Sequence, residues 1–167
     1  MVVGVRVRFL LLALLLAAPA SGQEQVLQLP NGQELRYRLV TEAAESAKDT
    51  ATRMLRHLAA GEIEAAAALS NAPERRLEVL RDYERAVGDE EFKRIFGRYF
   101  APENRLFLEA AIGANRLLVW DLGEAGNVLA GQYYVEVDGR FLLDDAPNEN
   151  RANLQRVLEA LRKKTRN

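Results

Sequence analysis

Residues 131–145 read GQYYVEVDGRFLLDD, two strand-like runs rich in β-branched and aromatic residues joined by Asp138-Gly139. Asp-Gly between such runs specifies a two-residue hairpin turn, whose central residues both take positive φ. The register follows from the turn: Val137 faces Arg140, Val135 faces Leu142 and Tyr133 faces Asp144. The preceding run, RLLVWDL, pairs through GEAGN taken as a five-residue loop. That sets Asp121 opposite Leu129, Val119 opposite Gly131 and Leu117 opposite Tyr133.

One side of this sheet then carries Leu117, Val119, Asp121, Tyr133, Val135 and Asp144, with Leu129 and Leu142. The other carries Leu118, Trp120, Leu122, Tyr134, Phe141 and Leu143, with Val128, Gln132 and Glu136. A sheet with one wet face alternates apolar and polar residues, and this one is apolar on both sides. Helices segregated to one face give an α+β architecture, a curved antiparallel sheet with helices on one side. The second face is left to the C-terminal helix, the N-terminal hairpin or a second subunit, so a homodimer through sheet or helix surface is expected.

The elements that supply the cover are legible upstream and downstream. QVLQLPNGQELRYRLV is an N-terminal hairpin. A three-residue loop, Asn31-Gly32-Gln33, pairs Leu29 with Leu35 and Leu27 with Tyr37 and so sorts the apolar residues onto one face. From Glu42 to Ala60, Ala47, Ala51, Met54, Leu55 and Leu58 recur at helical spacing, and Gly61 stops the run. EIEAAAAL is a short helix, PERRLEVLRDYERAVG begins one at Pro73, and DEEFKRIFGRYF carries a core stripe of Phe92, Ile95, Phe96, Tyr99 and Phe100. RLFLEAAI reads as a strand. A last amphipathic helix spans about Asn148 to Lys163, with Leu154, Val157, Leu158 and Leu161 on one side.

The first 20 residues have the parts of a secretory signal: Arg6 and Arg8, an apolar run from Phe9 to Ala17, and Ala18-Pro19-Ala20 before the cut. The uncharged run from Phe9 to Ala20 is 12 residues, short of the roughly 20 a membrane-spanning helix needs. Cleavage after Ala20 leaves 147 of the 167 residues, a single domain over 21–167 with no stable membrane span, periplasmic or secreted. With no cysteine there is no disulfide, thiolate metal site, Cys nucleophile or lipid-anchored N-terminus. Loss of Arg6 and Arg8 takes the formal charge from −1 to −3, and the remaining basic residues are interleaved with acids, which excludes a nucleic-acid face.

A helical half containing HLAAGEIEAAAAL, followed by long strands ending in AGQYYVEVDGRFLLDD, resembles the nuclear transport factor 2-like superfamily, here an exported bacterial member, over residues 43–145. The resemblance rests on element order and implies the cone-like α+β roll of that superfamily, helices packed into the concave side of a curved sheet. Where its enzymes have an acid-rich segment after the second helix, this chain has the helical SNAPERRLEVLRDYERAVGDEEF. The protease-binding signature Gln-x-Val-x-Gly is absent, so protease inhibition is not implied. Enzymes of the superfamily that isomerise or cyclise substrates use Asp with Tyr or His inside the cone, without a metal.

Candidate acid-base residues are therefore Asp121, Tyr133 and Asp144, which share a face with aliphatic neighbours where desolvation raises a carboxylate pKa, and His57, the one histidine. Each has a structural reading beside the chemical one. His57 lies at the flank of a buried helical stripe with nothing marking a partner; Asp121 ends a strand; Asp144 and Asp145 open the loop before the last helix, ordinarily wet positions. Trp120, Tyr133 and Tyr134 are the candidate ligand-binding aromatics, Tyr133 and Tyr134 pointing to opposite faces. One His without Cys makes no zinc site, no Gly-rich loop precedes a helix, and no cofactor is implied. The expected function is a non-enzymatic exported module binding a small apolar ligand or an envelope protein. A small cofactor-free enzyme of isomerase, cyclase or dehydratase type is the alternative.

Overall fold

The computed structural model describes residues 22–41, 46–123 and 128–166, so the signal segment and most of the GEAGN loop lie outside the described residues. Six strands form one curved antiparallel sheet in chain order: β1 (Glu24–Gln28), β2 (Glu34–Leu39), β3 (Arg105–Ile112), β4 (Asn115–Asp121), β5 (Leu129–Val137) and β6 (Arg140–Leu143). Between β2 and β3 come α1 (Ala47–Ala60), α2 (Ile63–Ala67), α3 (Pro73–Val87) and α4 (Asp89–Gly97), and α5 (Glu149–Arg166) closes the chain.

The turn chemistry holds where it was most specific. Asp138 and Gly139 have φ of 49° and 75°, Val137 pairs with Arg140, and Val135 with Leu142. The β4–β5 register is also as expected, Leu117 opposite Tyr133 and Val119 opposite Gly131. The N-terminal hairpin has a three-residue loop, but the loop is Pro30-Asn31-Gly32. The Leu29 amide donates to the Gln33 carbonyl at 2.9 Å, and the ladder pairs Leu27 with Leu35 instead of Leu29. Gly32, at φ 82°, is the residue that must take the left-handed position, and Pro30 suits the first turn position, so the turn settles one residue earlier. The shift moves the pairing by two, an even number, and the apolar side chains stay on one face.

Each sheet face has its own core. On one side Leu118, Trp120, Tyr134, Phe141 and Leu143 pack against α1 to α4 through Met54, Leu55, Leu58, Leu80 and Phe92. On the other, Leu117, Val119 and Tyr133, with Leu27 and Tyr37 of the hairpin, pack against Val157, Leu158 and Leu161 of α5. The cover of the second face is thus the C-terminal helix, and the N-terminal hairpin extends the sheet beneath it. At its far end, Lys164 Nζ donates to the Tyr37 hydroxyl at 3.0 Å.

Helix ends follow local chemistry. Ser46 caps α1 by accepting from the Lys48 amide at 3.0 Å, and Gly61 ends it at φ 77°. The aromatic stripe of α4 departs from expectation at one residue. The helix stops at Gly97 and continues as a 3-10 turn, Arg98–Phe100, which leaves Phe100 45% exposed. A 3-10 turn advances more degrees per residue than an α-helix and swings this side chain out of line with Phe92.

Candidate functional site

The doubled acid after β6 is held from three directions. β6 is a sheet edge, and the segment between α2 and α3 pairs with it: the Leu143 amide donates to Leu69 at 2.8 Å and the Asn71 amide to Leu143 at 3.0 Å. That places SN of the SNAP sequence against DD. Ser70 Oγ donates to Asp145 Oδ2 at 2.7 Å, Asn71 Nδ2 to Asp144 Oδ1 at 2.9 Å, and the Asp145 amide to Asn71 Oδ1 at 2.8 Å. From the start of α5, Asn148 Nδ2 donates to Asp144 Oδ2 at 2.6 Å and Arg151 Nη1 to Asp145 Oδ1 at 3.0 Å. Arg76, in the first turns of α3, brings its Nη1 to 3.5 Å from the same oxygen.

Asp144 and Asp145 are 6% and 5% exposed, so the expectation of wet loop positions is corrected. Burial of a carboxylate is tolerated where hydrogen bonds and opposite charge replace water, and each of these four oxygens accepts at least one donor. Asn148 also caps α5, its Oδ1 accepting from the Arg151 amide at 3.0 Å.

Beside this network lies a cleft of about 180 Å³, edged by Arg76, Tyr133, Asp144, Asp145, Arg151 and Leu154. Its floor is at Gly131, where β5 and α5 approach so closely that a Cβ would stand 2.9 Å from Leu158 Cδ2 and 3.2 Å from Leu154 Cδ1. Two donors on the residues lining the cleft lack protein partners, the buried Tyr133 hydroxyl and Arg76 Nε. Desolvation pushes the Tyr133 phenol up to about 12, so it stays protonated at neutral pH.

Of the acid-base candidates, Tyr133 and Asp144 are neighbours through the backbone, the Asp144 amide donating to the Tyr133 carbonyl at 2.9 Å, but no hydrogen bond joins their side chains: the Tyr133 hydroxyl has no protein partner and the Asp144 carboxylate accepts from Asn71 and Asn148. Asp121 lies apart. It pairs with Leu129, four residues up β5 from Tyr133, roughly 13 Å along the strand. There its carboxylate is mostly buried, with Oδ2 3.9 Å from Arg105 and Oδ1 without a partner. His57 sits near the end of α1, which packs on the opposite face of the sheet from Tyr133, with Nδ1 2.5 Å from Glu62 Oε2. That is a partner five residues on which the helical reading did not foresee.

Trp120 and Tyr134 belong to the core under α1 to α4. Trp120 meets Tyr99 edge-on at 5.8 Å, and the Tyr134 hydroxyl donates to Gln132 at 2.9 Å while burial pushes its pKa upward. Tyr133 alone of the three aromatic candidates lines the cleft.

Sequence reasoning missed Ser70, Asn71, Arg76 and Arg151 and left Asp145 in solvent. A signal existed in SNAP and DDAPN, short polar clusters each abutting a helix start. Neither reveals that one pairs with the other. A further buried carboxylate also went unseen: Glu109 of β3 accepts from the Ala47 amide at 3.2 Å and from Ser46 Oγ at 3.0 Å, tying α1 to the sheet.

Among the described residues no group of three or more His, Asp or Glu is arranged to hold a metal ion, and no helix is long and apolar enough to cross a membrane. No family model, curated protein or solved structure matches the chain.

Proposed function

We propose that this protein is an exported, non-enzymatic module that binds a small ligand in the cleft beside Tyr133. The observation that carries the reading is an asymmetry of hydrogen-bonding capacity. Every carboxylate oxygen of Asp144 and Asp145 is engaged by the protein, whereas the donors Tyr133 Oη and Arg76 Nε are not. Both carboxylates are committed to that network of side-chain donors, and a general acid works best with a pKa near the working pH. Tyr133, pushed up to about 12, is suited to donating a hydrogen bond and not to giving up its proton. At about 180 Å³ the cleft is smaller than the roughly 300–1,000 Å³ typical of drug-sized ligands. The signal-like first 20 residues support export, and the order of helices and strands supports kinship with the nuclear transport factor 2-like superfamily.

The test is a thermal-shift screen of the chain from Ser21 against small carboxylates, amines, sugars and apolar compounds. Proton NMR of each compound is recorded before and after incubation. A ligand at a hundred times its Kd adds about 2.7 kcal/mol to stability, and it should be recovered unchanged. Chemical conversion of the bound compound, or no shift from any class, overturns the reading.

A further inference from the structure

Resting on the binding-module reading, we infer that the cleft is an open rung of the sheet and that its ligand is an extended peptide segment, added antiparallel to β5 where β6 has left it.

β5 and β6 end unequally. β5 runs from Leu129 to Val137, whereas β6 covers only Arg140–Leu143. The last rung between them is the Asp144 amide on the Tyr133 carbonyl, after which the chain leaves for α5. Leu129 to Gln132 thus keep β4 on one side and have no strand on the other. In an antiparallel sheet, alternate residues of a strand bond to opposite neighbours. The Leu122 amide donates to the Val128 carbonyl at 2.8 Å, so the even-numbered residues face β4 and the odd-numbered ones face the β6 side. Leu129 and Gly131 therefore turn their N–H and C=O outward beyond Tyr133. Among the described residues no hydrogen-bond partner meets them there.

The cleft lies on this line. Gly131, Gln132 and Tyr133 border it from β5, Asp144 from the end of β6, Arg76 from α3 and Leu154 from α5. It occupies the place where β6 would have continued. Proteins ordinarily blunt an open edge with charge, proline or a covering segment. The outer edge of β6 is covered in this way by Ser70 and Asn71. Residues 129–132, Leu-Ala-Gly-Gln, carry neither charge nor proline.

Main-chain donors and acceptors repeating along an edge are matched by another backbone, as in strand addition. A peptide residue opposite Gly131 would exchange both main-chain bonds with it and set its side chain on the α5 face, beside Leu154. Its neighbours would fall on the face of Gln132, whose side chain meets the Tyr134 hydroxyl. The segment that fits alternates apolar with polar residues.

The test is amide exchange, followed by NMR, on the chain from Ser21 alone and with an acetylated, amidated pentapeptide of alternating threonine and valine. Without peptide, the Leu129 and Gly131 amides should exchange about tenfold or more faster than those of Ala130 and Gln132, which bond to β4. With millimolar peptide, the same two amides should slow by about tenfold or more. Methylating the valine nitrogens removes the donors turned toward β5 and should abolish this protection; methylating the threonine nitrogens should leave it. Slow exchange of Leu129 and Gly131 in the free protein, equal effects of the two methylated peptides, protection of β1 instead, or no protection at all overturns the inference. If the peptides fail and a compound of another class binds beside Tyr133, strand addition falls and the binding module stands. If nothing binds, both fall.

Discussion

Ser70 donates its hydroxyl to Asp145 across 2.7 Å, and both side chains are buried although 75 positions separate them in the chain. This bond joins the α2–α3 segment to the end of the sheet, where α5 also begins. Ser70→Ala leaves one oxygen of a buried carboxylate without its donor and should cost about 1–3 kcal/mol. Asp145→Ala also strands Arg76 and Arg151 and should cost about 3 kcal/mol or more. Urea denaturation of both single variants and the double variant measures the coupling. Additive losses would mean the two residues do not act together.

Gly131 is required by the approach of α5 to β5. In Gly131→Ala the new methyl would press on Leu158 and Leu154 and should cost about 1 kcal/mol; Gly131→Val should cost about 1–3 kcal/mol, as overpacking does. Melting temperatures of the two variants check the order. A valine variant as stable as the parent would show that α5 does not lie against this residue.

Alkaline pH should loosen the protein through its buried tyrosines. Burial raises the folded-state pKa of Tyr133 from 10.0 to about 12, and Tyr134 shifts in the same direction. The unfolded chain therefore releases these protons first. Stability is intact below pH 10 and falls as pH climbs through about 12, by up to about 1.4 kcal/mol per pH unit for each tyrosine. Denaturant titrations across this range, compared with Tyr133→Phe, test the sign. The variant should lose less stability with rising pH.

Glu109 anchors the start of α1 from a strand. Glu109→Ala removes the acceptor of the Ala47 amide and of Ser46 Oγ and should cost about 1–3 kcal/mol, with Glu109→Gln retaining part of that. Amide exchange at Ala47 should quicken in the alanine variant. Unchanged exchange there would exclude the tie.

How much of this was legible beforehand depended on range. Asp138-Gly139 specified its own turn because both residues had to take positive φ, and two-residue alternation then assigned every side chain of β4 to β6 to its face. Leu117 and Tyr133 fell on one side and Trp120 and Tyr134 on the other, as the period of a strand demands. Met54, Leu58 and Phe92 announced buried helix faces by spacing, and the 3-10 turn alone displaced Phe100.

The amino-acid order by itself thus determined the α+β layout, the registers of β4, β5 and β6 and the two-sided apolar sheet, since turns and periodicity act over a few residues; at the N-terminal hairpin it gave the face but not the register. Tertiary structure alone decided that α5 covers the second face, that SNAP meets DDAPN, and that Asp144 and Asp145 are dry. The last two depend on contacts between segments some 75 residues apart, and the first on α5 packing against strands from both ends of the chain. Their energies come from desolvation and paired charge, which have no signature in local sequence spacing.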